Sequence, residues 1–211
     1  MTSKEKIKKI HDLLFDRFGE CECPLKHDSP FQLLAAVMLS AQCRDERVNM
    51  VTEKLFSIAP DAQSMSKLPQ SEIEKIIHPC GLSQSKSGNL LNSARIIVEK
   101  FNDSVPCKMD DLTSLPGIGR KSANVILGNA FNIPGFPVDT HVKRVLNRLG
   151  VVKSDSPEKI EKIITNLIAP AYWTNFSHLL IQHGRQVCHS RKPVCEKCVL
   201  SQLCTYEKDS L

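Results

Sequence analysis

Apolar residues along the chain recur at intervals of three and four. Ile7, Ile10, Leu13, Leu14 and Phe18 fall on one helical face, and Leu90, Leu91, Ala94, Ile97, Val98 and Phe101 fall on another. The same period predicts helices over about 30–41, 45–58, 70–77, 120–131, 138–149, 157–168 and 171–186. Alternation of the kind a half-buried strand requires is nearly absent, so the expected fold class is all-α. Pro60, Pro69, Pro79, Pro106, Pro116, Pro134, Pro137, Pro157 and Pro170 lie between these segments, where a residue without a backbone donor does least harm. No repeat or low-complexity tract marks a domain boundary. The clear change of character is at residues 188–204.

Composition narrows the classes without choosing one. A chain of 211 residues with 41% hydrophobic content suits a globular protein with one large core or two modest ones. A formal charge of +5 agrees with a polyanionic partner, a bias also common among proteins that have none. Met1 to His11 has no apolar core of signal-peptide length and no run reaches transmembrane length, so a cytoplasmic protein with no membrane partner is expected. In that compartment thiols stay reduced, and nine cysteines are not read as a disulfide framework.

Four of the nine are clustered. Cys188, Cys195, Cys198 and Cys204 follow the spacing C-x6-C-x2-C-x5-C within 17 residues, a density typical of metal sites. Four thiolates suit tetrahedral zinc or the corners of a [4Fe-4S] cube. Zinc sites usually present two C-x-x-C knuckles, and a single close pair favours iron–sulfur. Cys21, Cys23, Cys43, Cys80 and Cys107 are scattered and read as packing thiols. Arg191 and Lys192 lie in the loop between the first two cluster cysteines, where a metal group would project them toward phosphate. An ordinary solvated loop is the alternative.

Leu115-Pro116-Gly117-Ile118-Gly119-Arg120-Lys121 places two glycines just before an apolar helix. Glycine lets a phosphate approach backbone amides, and a helix start adds unpaired donors and a positive dipole. The segment Met109 to Thr113 has no strand character, which excludes a dinucleotide fingerprint. A plain turn between helices remains the bland reading. Lys121 falls in the first helical turn beside Arg120, where an amine, once neutral, is a nucleophile. Eighteen residues on, Val138-Asp139-Thr140-His141 sets a carboxylate at another helix start, as an N-cap or as a catalytic acid–base group.

On the hairpin with Lys121, the Val138–His141 segment, the four cysteines and Leu39-Ser40-Ala41-Gln42, the chain resembles the helix-hairpin-helix DNA glycosylases over essentially its whole length, and among them the endonuclease III family. The resemblance implies a six-helix domain at 22–133 and an iron–sulfur cluster domain joining 1–21 to 134–211. It implies a monomer that excises oxidised pyrimidines from double-stranded DNA, with a [4Fe-4S] cluster on Cys188, Cys195, Cys198 and Cys204. Lys121 is then the nucleophile at C1′, and Asp139 assists departure of the base. Excision proceeds through a Schiff base, and β-elimination cuts 3′ to the abasic site. Gly117, Gly119, Arg120, Arg191 and Lys192 are implied DNA contacts. Gln42 and Leu82 fill the gap left in the base stack, against the alternatives of a helix-end polar residue and a core leucine. Asp45 and His141 line the base pocket. Two departures from the family pattern are Ser83-Gln84-Ser85 after Leu82 and Cys43-Arg44 after Gln42. Lys121 separates this reading from lysine-lacking adenine and mismatch glycosylases, and from a module that only binds DNA.

Overall fold

The computed structural model describes residues 1–206. Among them there is no strand, as the periodicity requires. The α-helices are α1 (Ser3–Phe18), α2 (Pro30–Leu39), α3 (Asp45–Ile58), α4 (Ala62–Lys67), α5 (Gln70–Ile77), α6 (Ser83–Lys100), α7 (Met109–Thr113), α8 (Arg120–Ala130), α9 (Thr140–Arg148), α10 (Pro157–Thr165) and α11 (Trp173–Gln186), and a 3-10 turn at His78–Cys80 joins α5 to α6. Helices α4 and α7, of six and five residues, are too short to display a period and were not expected. Helix starts follow capping chemistry: Ser29 and Ser156 each accept a backbone N–H from the third helical residue and are followed by proline at the first position. Helix α2 stops at Leu39, two residues earlier than its pattern, because the chain turns through a left-handed residue at Gln42, φ 55°.

The chain divides into two compact units, Cys23–Ile133 and Met1–Glu22 with the chain from Pro134 onward. In the first, every residue of α2 from Phe31 to Leu39 is buried, the signature of a helix surrounded on all sides. Helices α3, α6 and α8 pack around it, and α4 and α5 pack on α6. The α6 face behaves as its period predicts for Leu90, Leu91, Ala94 and Ile97, with Val98 and Phe101 only half-buried at the rim. Each fully buried aliphatic side chain contributes roughly 1.5–3 kcal/mol relative to exposure, so this shell around α2 dominates the unit.

The second unit packs α11 against α1 and α9. Ile7, Ile10 and Leu14 of α1 meet Val142, Val145 and Leu146 of α9 and Phe176, Leu179 and Leu180 of α11 in one core. Gly184 sets the approach of α9 to α11, since a Cβ there would stand 2.9 Å from Cβ of His141. Among the described residues no helix is long and apolar enough to cross a membrane.

His178 of α11 is buried in this unit, and burial, followed by the nearby Arg185, lowers its pKa from the ordinary 6.5. The unfolded chain therefore binds the extra proton first as pH falls, and this group's contribution to stability, full above 6.5, is lost as pH drops below it. Denaturant unfolding should show stability falling as pH drops below that value, with about 1.4 kcal/mol per pH unit as the ceiling for one such group. His178→Gln should flatten the slope; an unchanged slope would reject the assignment.

Candidate active site and cysteine loop

The turn from α7 to α8 is built on one glycine and kept open by another. The Ile118 amide donates to the Leu115 carbonyl at 3.1 Å, and Ser93 Oγ donates to the Pro116 carbonyl at 3.0 Å. Gly117 has φ 81°, and a Cβ on it would lie 2.9 Å from Asn89 Nδ2 and 3.1 Å from Met38 Cε. Both backbone angle and space demand glycine there. Gly119 has φ −92° and ψ 174°, angles open to any residue, and a Cβ on it would meet nothing within 4 Å. Its missing side chain serves no internal contact and leaves clear the approach to the start of α8, which carries no side-chain cap. Gly117, Gly119, Arg120 and Lys121 are all exposed, with Lys121 second in the helix.

Gln42 and Leu82 occupy two turns of the same unit. Each has a left-handed backbone, φ 55° and 52°, at a cost of roughly 1–2 kcal/mol for a residue with a Cβ. Gln42 is exposed and Leu82 is 60% exposed, so the core-leucine alternative is excluded. Asp45 is half-buried in the first turn of α3. Burial, and after it the neighbouring Cys43 thiol, pushes the Cys80 thiol of these turns up to about 11. Sequence reasoning missed Lys86, which is only 5% exposed and donates to the carbonyls of Leu39, Ala41 and Cys80 at 2.9, 2.7 and 2.9 Å. The signal was available: Lys86 falls on the helical face of Leu90, Ala94 and Ile97, one turn before its apolar run.

In the other unit Asp139 caps α9, its Oδ1 accepting from the Val142 amide at 2.8 Å. The N-cap reading is thus realised, and because a carboxylate has a second oxygen, a cap does not preclude a chemical role. His141, half-buried, is pressed on Gly184, and its Nδ1 lies 3.0 Å from Arg144 Nη2. Burial lowers its pKa, opposed by the charge of Asp139.

The same helix organises the cysteine loop through two further residues that the sequence reading overlooked. Arg144 donates to the Cys188 carbonyl at 3.0 Å and to the Gly184 carbonyl at 2.9 Å. Arg148 donates to the carbonyls of His189 at 2.6 Å and Ser190 at 2.9 Å, its Nη1 stands 3.4 Å from Cys188 Sγ, and its guanidinium lies 4.3 Å from the centre of the Tyr206 ring. The Arg148 carbonyl accepts from Cys204 Sγ at 3.3 Å. Two arginines four apart on a helix that precedes clustered cysteines were the available sign. Arg191 and Lys192 are exposed at the tip of the loop so held, Lys192 with φ 51°.

All four clustered cysteines are half-buried. Burial raises the Cys198 thiol, the Leu200 backbone amide lowers it, and the nearness of Cys188, Cys204 and Cys195 raises it further. The other three sulfurs therefore stand near that of Cys198, yet among the described residues no set of three or more His, Cys, Asp or Glu side chains is gathered to hold a single metal ion. Thiolates brought together repel, and a group carrying positive iron at several corners removes that repulsion while leaving the sulfurs apart. The donor set and the Arg148 guanidinium beside Cys188 fit such a group.

Known proteins share this fold. A model of the HhH-GPD superfamily base excision DNA repair proteins matches residues 35–170. Endonuclease III of a Synechocystis strain is 45% identical over 204 residues, covering 96% of this chain and 93% of that protein. The chain belongs to the HhH-GPD superfamily, and within it to the endonuclease III family. Among solved structures, a non-covalent endonuclease III–DNA complex is matched with a TM-score of 0.92 at 38% identity, over 97% of this chain and 96% of that one. A trapped endonuclease III–DNA covalent intermediate is matched with the same score and identity, over 97% of each.

The two hairpin glycines should part company on mutation. Gly117→Ala should lower stability by about 1–2 kcal/mol or more in denaturant unfolding, from the left-handed angle and the contact with Asn89. Gly119→Ala should unfold within about 0.5 kcal/mol of the native chain. Equal losses would refute the distinction.

Proposed function

We propose that this chain removes oxidised pyrimidines from duplex DNA with Lys121 as nucleophile, and cuts the strand 3′ to the resulting abasic site. The observation that carries the reading is Lys121 itself, an exposed amine in the first turn of α8, two residues after the open backbone at Gly119. A bifunctional glycosylase and lyase of base excision repair is also what its family membership supports, since a relative of the same fold forms a covalent intermediate with DNA.

The chemistry follows from choosing an amine over water. The Lys121 nitrogen bonds to C1′ as the C1′–base bond breaks, and Asp139 stabilises the positive charge that develops on the sugar. A proton passes from that nitrogen to the ring oxygen O4′ as the C1′–O4′ bond breaks, and the nitrogen lone pair forms the C1′=N bond of an open-chain protonated imine. Removal of a C2′ proton then expels the 3′ phosphate oxygen, which cuts the strand. Water in place of lysine would end at the abasic sugar. Flipping the nucleotide out of the stack costs least for a damaged base. In this reading Gln42 and Leu82 occupy the vacated stack, and Asp45 and His141 line the base pocket. Gly117, Gly119 and Arg120 receive phosphate at the start of α8, and Arg191 and Lys192 receive it on the cysteine loop.

Cys188, Cys195, Cys198 and Cys204 would hold a [4Fe-4S] cluster, which supplies a rigid scaffold for the loop. The contacts of Arg148 and Arg144 serve the same end from the protein side, fixing the backbone that presents Arg191 and Lys192.

Borohydride should trap a covalent complex between the native chain and DNA containing thymine glycol or an abasic site, and Lys121→Ala should abolish trapping while keeping DNA binding. Failure of the native chain to trap would sink the lyase reading. Asp139→Asn keeps an N-cap without the charge, and excision should fall by about a hundredfold or more with folding intact; near-normal turnover would leave Asp139 as a cap alone. Protein isolated without added metal should carry about four irons per chain, and Arg148→Ala should lower that content. Zinc in place of iron would overturn the cluster.

A further inference from the structure

Lys86 is a charge placed where its helix otherwise presents Leu90, Ala94 and Ile97 to the core. Taking an ammonium out of water is costly, and an aliphatic residue of similar size would pack there without that cost. What the cation does is specific. An ammonium has three protons, and three carbonyls receive them: Leu39 and Ala41 from the end of α2, and Cys80 from the turn before α6. The first two belong to a helix C-terminus, where carbonyls lack intrahelical partners and the dipole favours a cation. The third lies about forty positions away in sequence, two residues before Leu82.

One nitrogen therefore joins the turn that carries Gln42 to the turn that carries Leu82. Both residues hold left-handed backbone angles with side chains open to solvent, a combination that persists only where the surroundings impose it. A further bond closes the same joint: Arg47 Nη1 donates to the Pro79 carbonyl at 3.5 Å. The resulting unit is braced before any ligand arrives.

We propose that Lys86 is a positioning residue for lesion exposure: its buried ammonium fixes the two turns so that Gln42 and Leu82 enter the base stack as one preformed wedge. The proposal rests on the reading that Gln42 and Leu82 fill the vacated stack. Preorganisation matters here because unstacking a base is uphill, and a wedge that had first to order itself would lose part of its binding energy to that ordering.

The test compares substrates that need the wedge with one that does not. Lys86→Met keeps length and removes every donor; Lys86→Arg keeps charge and donors but spreads them in a planar fork. Single-turnover excision of thymine glycol from a fully paired duplex should fall tenfold or more in Lys86→Met. Borohydride trapping on an abasic site opposite a gap, where no stack must be opened, should stay within threefold of native. The burst of 2-aminopurine fluorescence beside the lesion should slow in parallel with excision. Lys86→Arg should show the same duplex-selective loss to a smaller extent, and it carries the test if Lys86→Met does not fold. Adding Lys86→Met to Leu82→Ala should cost little beyond Leu82→Ala alone. Equal losses on both substrates, or no loss on the paired duplex, would overturn the proposal. If Gln42→Ala and Leu82→Ala themselves leave paired-duplex excision unchanged, the wedge reading fails instead. If they lower it while both Lys86 variants do not, only the role of Lys86 fails.

Discussion

A cation withdrawn from water has to give its protons to oxygen, because a buried charge without partners costs several kcal/mol. In this chain the oxygens are main-chain carbonyls. Lys86 takes three from two turns of the Cys23–Ile133 unit, and in the other unit Arg148 and Arg144 take those of Ser190, His189, Cys188 and Gly184. Most of these carbonyls lie at the end of a helix or just beyond it, as at Leu39, Ala41, Cys188, His189 and Ser190, where no regular ladder fixes the chain. A carbonyl held by a fixed donor has lost most of its freedom to rotate, so an irregular segment acquires the definition of a regular one. The helices supply rigidity, and the cations export it to the loops.

Helix α9 combines two duties in nine residues, a length of about 13 Å. The Val142 amide of its first turn is capped by Asp139, and its later turns carry Arg144 and Arg148 to the cysteine loop. A carboxylate assigned to chemistry and a loop assigned to phosphate are thereby referred to a single rigid axis. Gly184 permits α11 to lie close against that axis, which also seats His141.

The helical architecture was legible because its long helices present periods of apolar residues that survive tertiary packing: Ile7, Ile10 and Leu14 are buried as their spacing requires. Helices α4 and α7 escaped because five or six residues cannot express a period of 3.6. Helix α6 begins at Ser83, well before its apolar run, and Ser83-Gln84-Ser85 resembles punctuation until Lys86 is recognised as a core position. The candidate chemistry was legible where residue type and local context coincide, as at Lys121, Asp139 and the four cysteines. It was illegible where the role is to hold another segment. Lys86 and Arg148 act on carbonyls up to 47 and 42 residues away, and a carbonyl has no letter in a sequence. The exposure of Leu82 likewise depends on a left-handed angle that passes beyond Gly81 to the leucine itself, where residue type gives no sign of it.

The two hairpin glycines differ in what constrains them. At Gly117 the constraint is internal, from Asn89, Met38 and a left-handed angle, whereas around Gly119 there is only vacant space. Variation at position 117 is therefore filtered by folding, and variation at 119 only by whatever arrives from outside. A panel of side chains of graded size at 119 becomes a ruler: the volume at which affinity is lost measures the clearance between backbone and ligand, free of any contribution from misfolding.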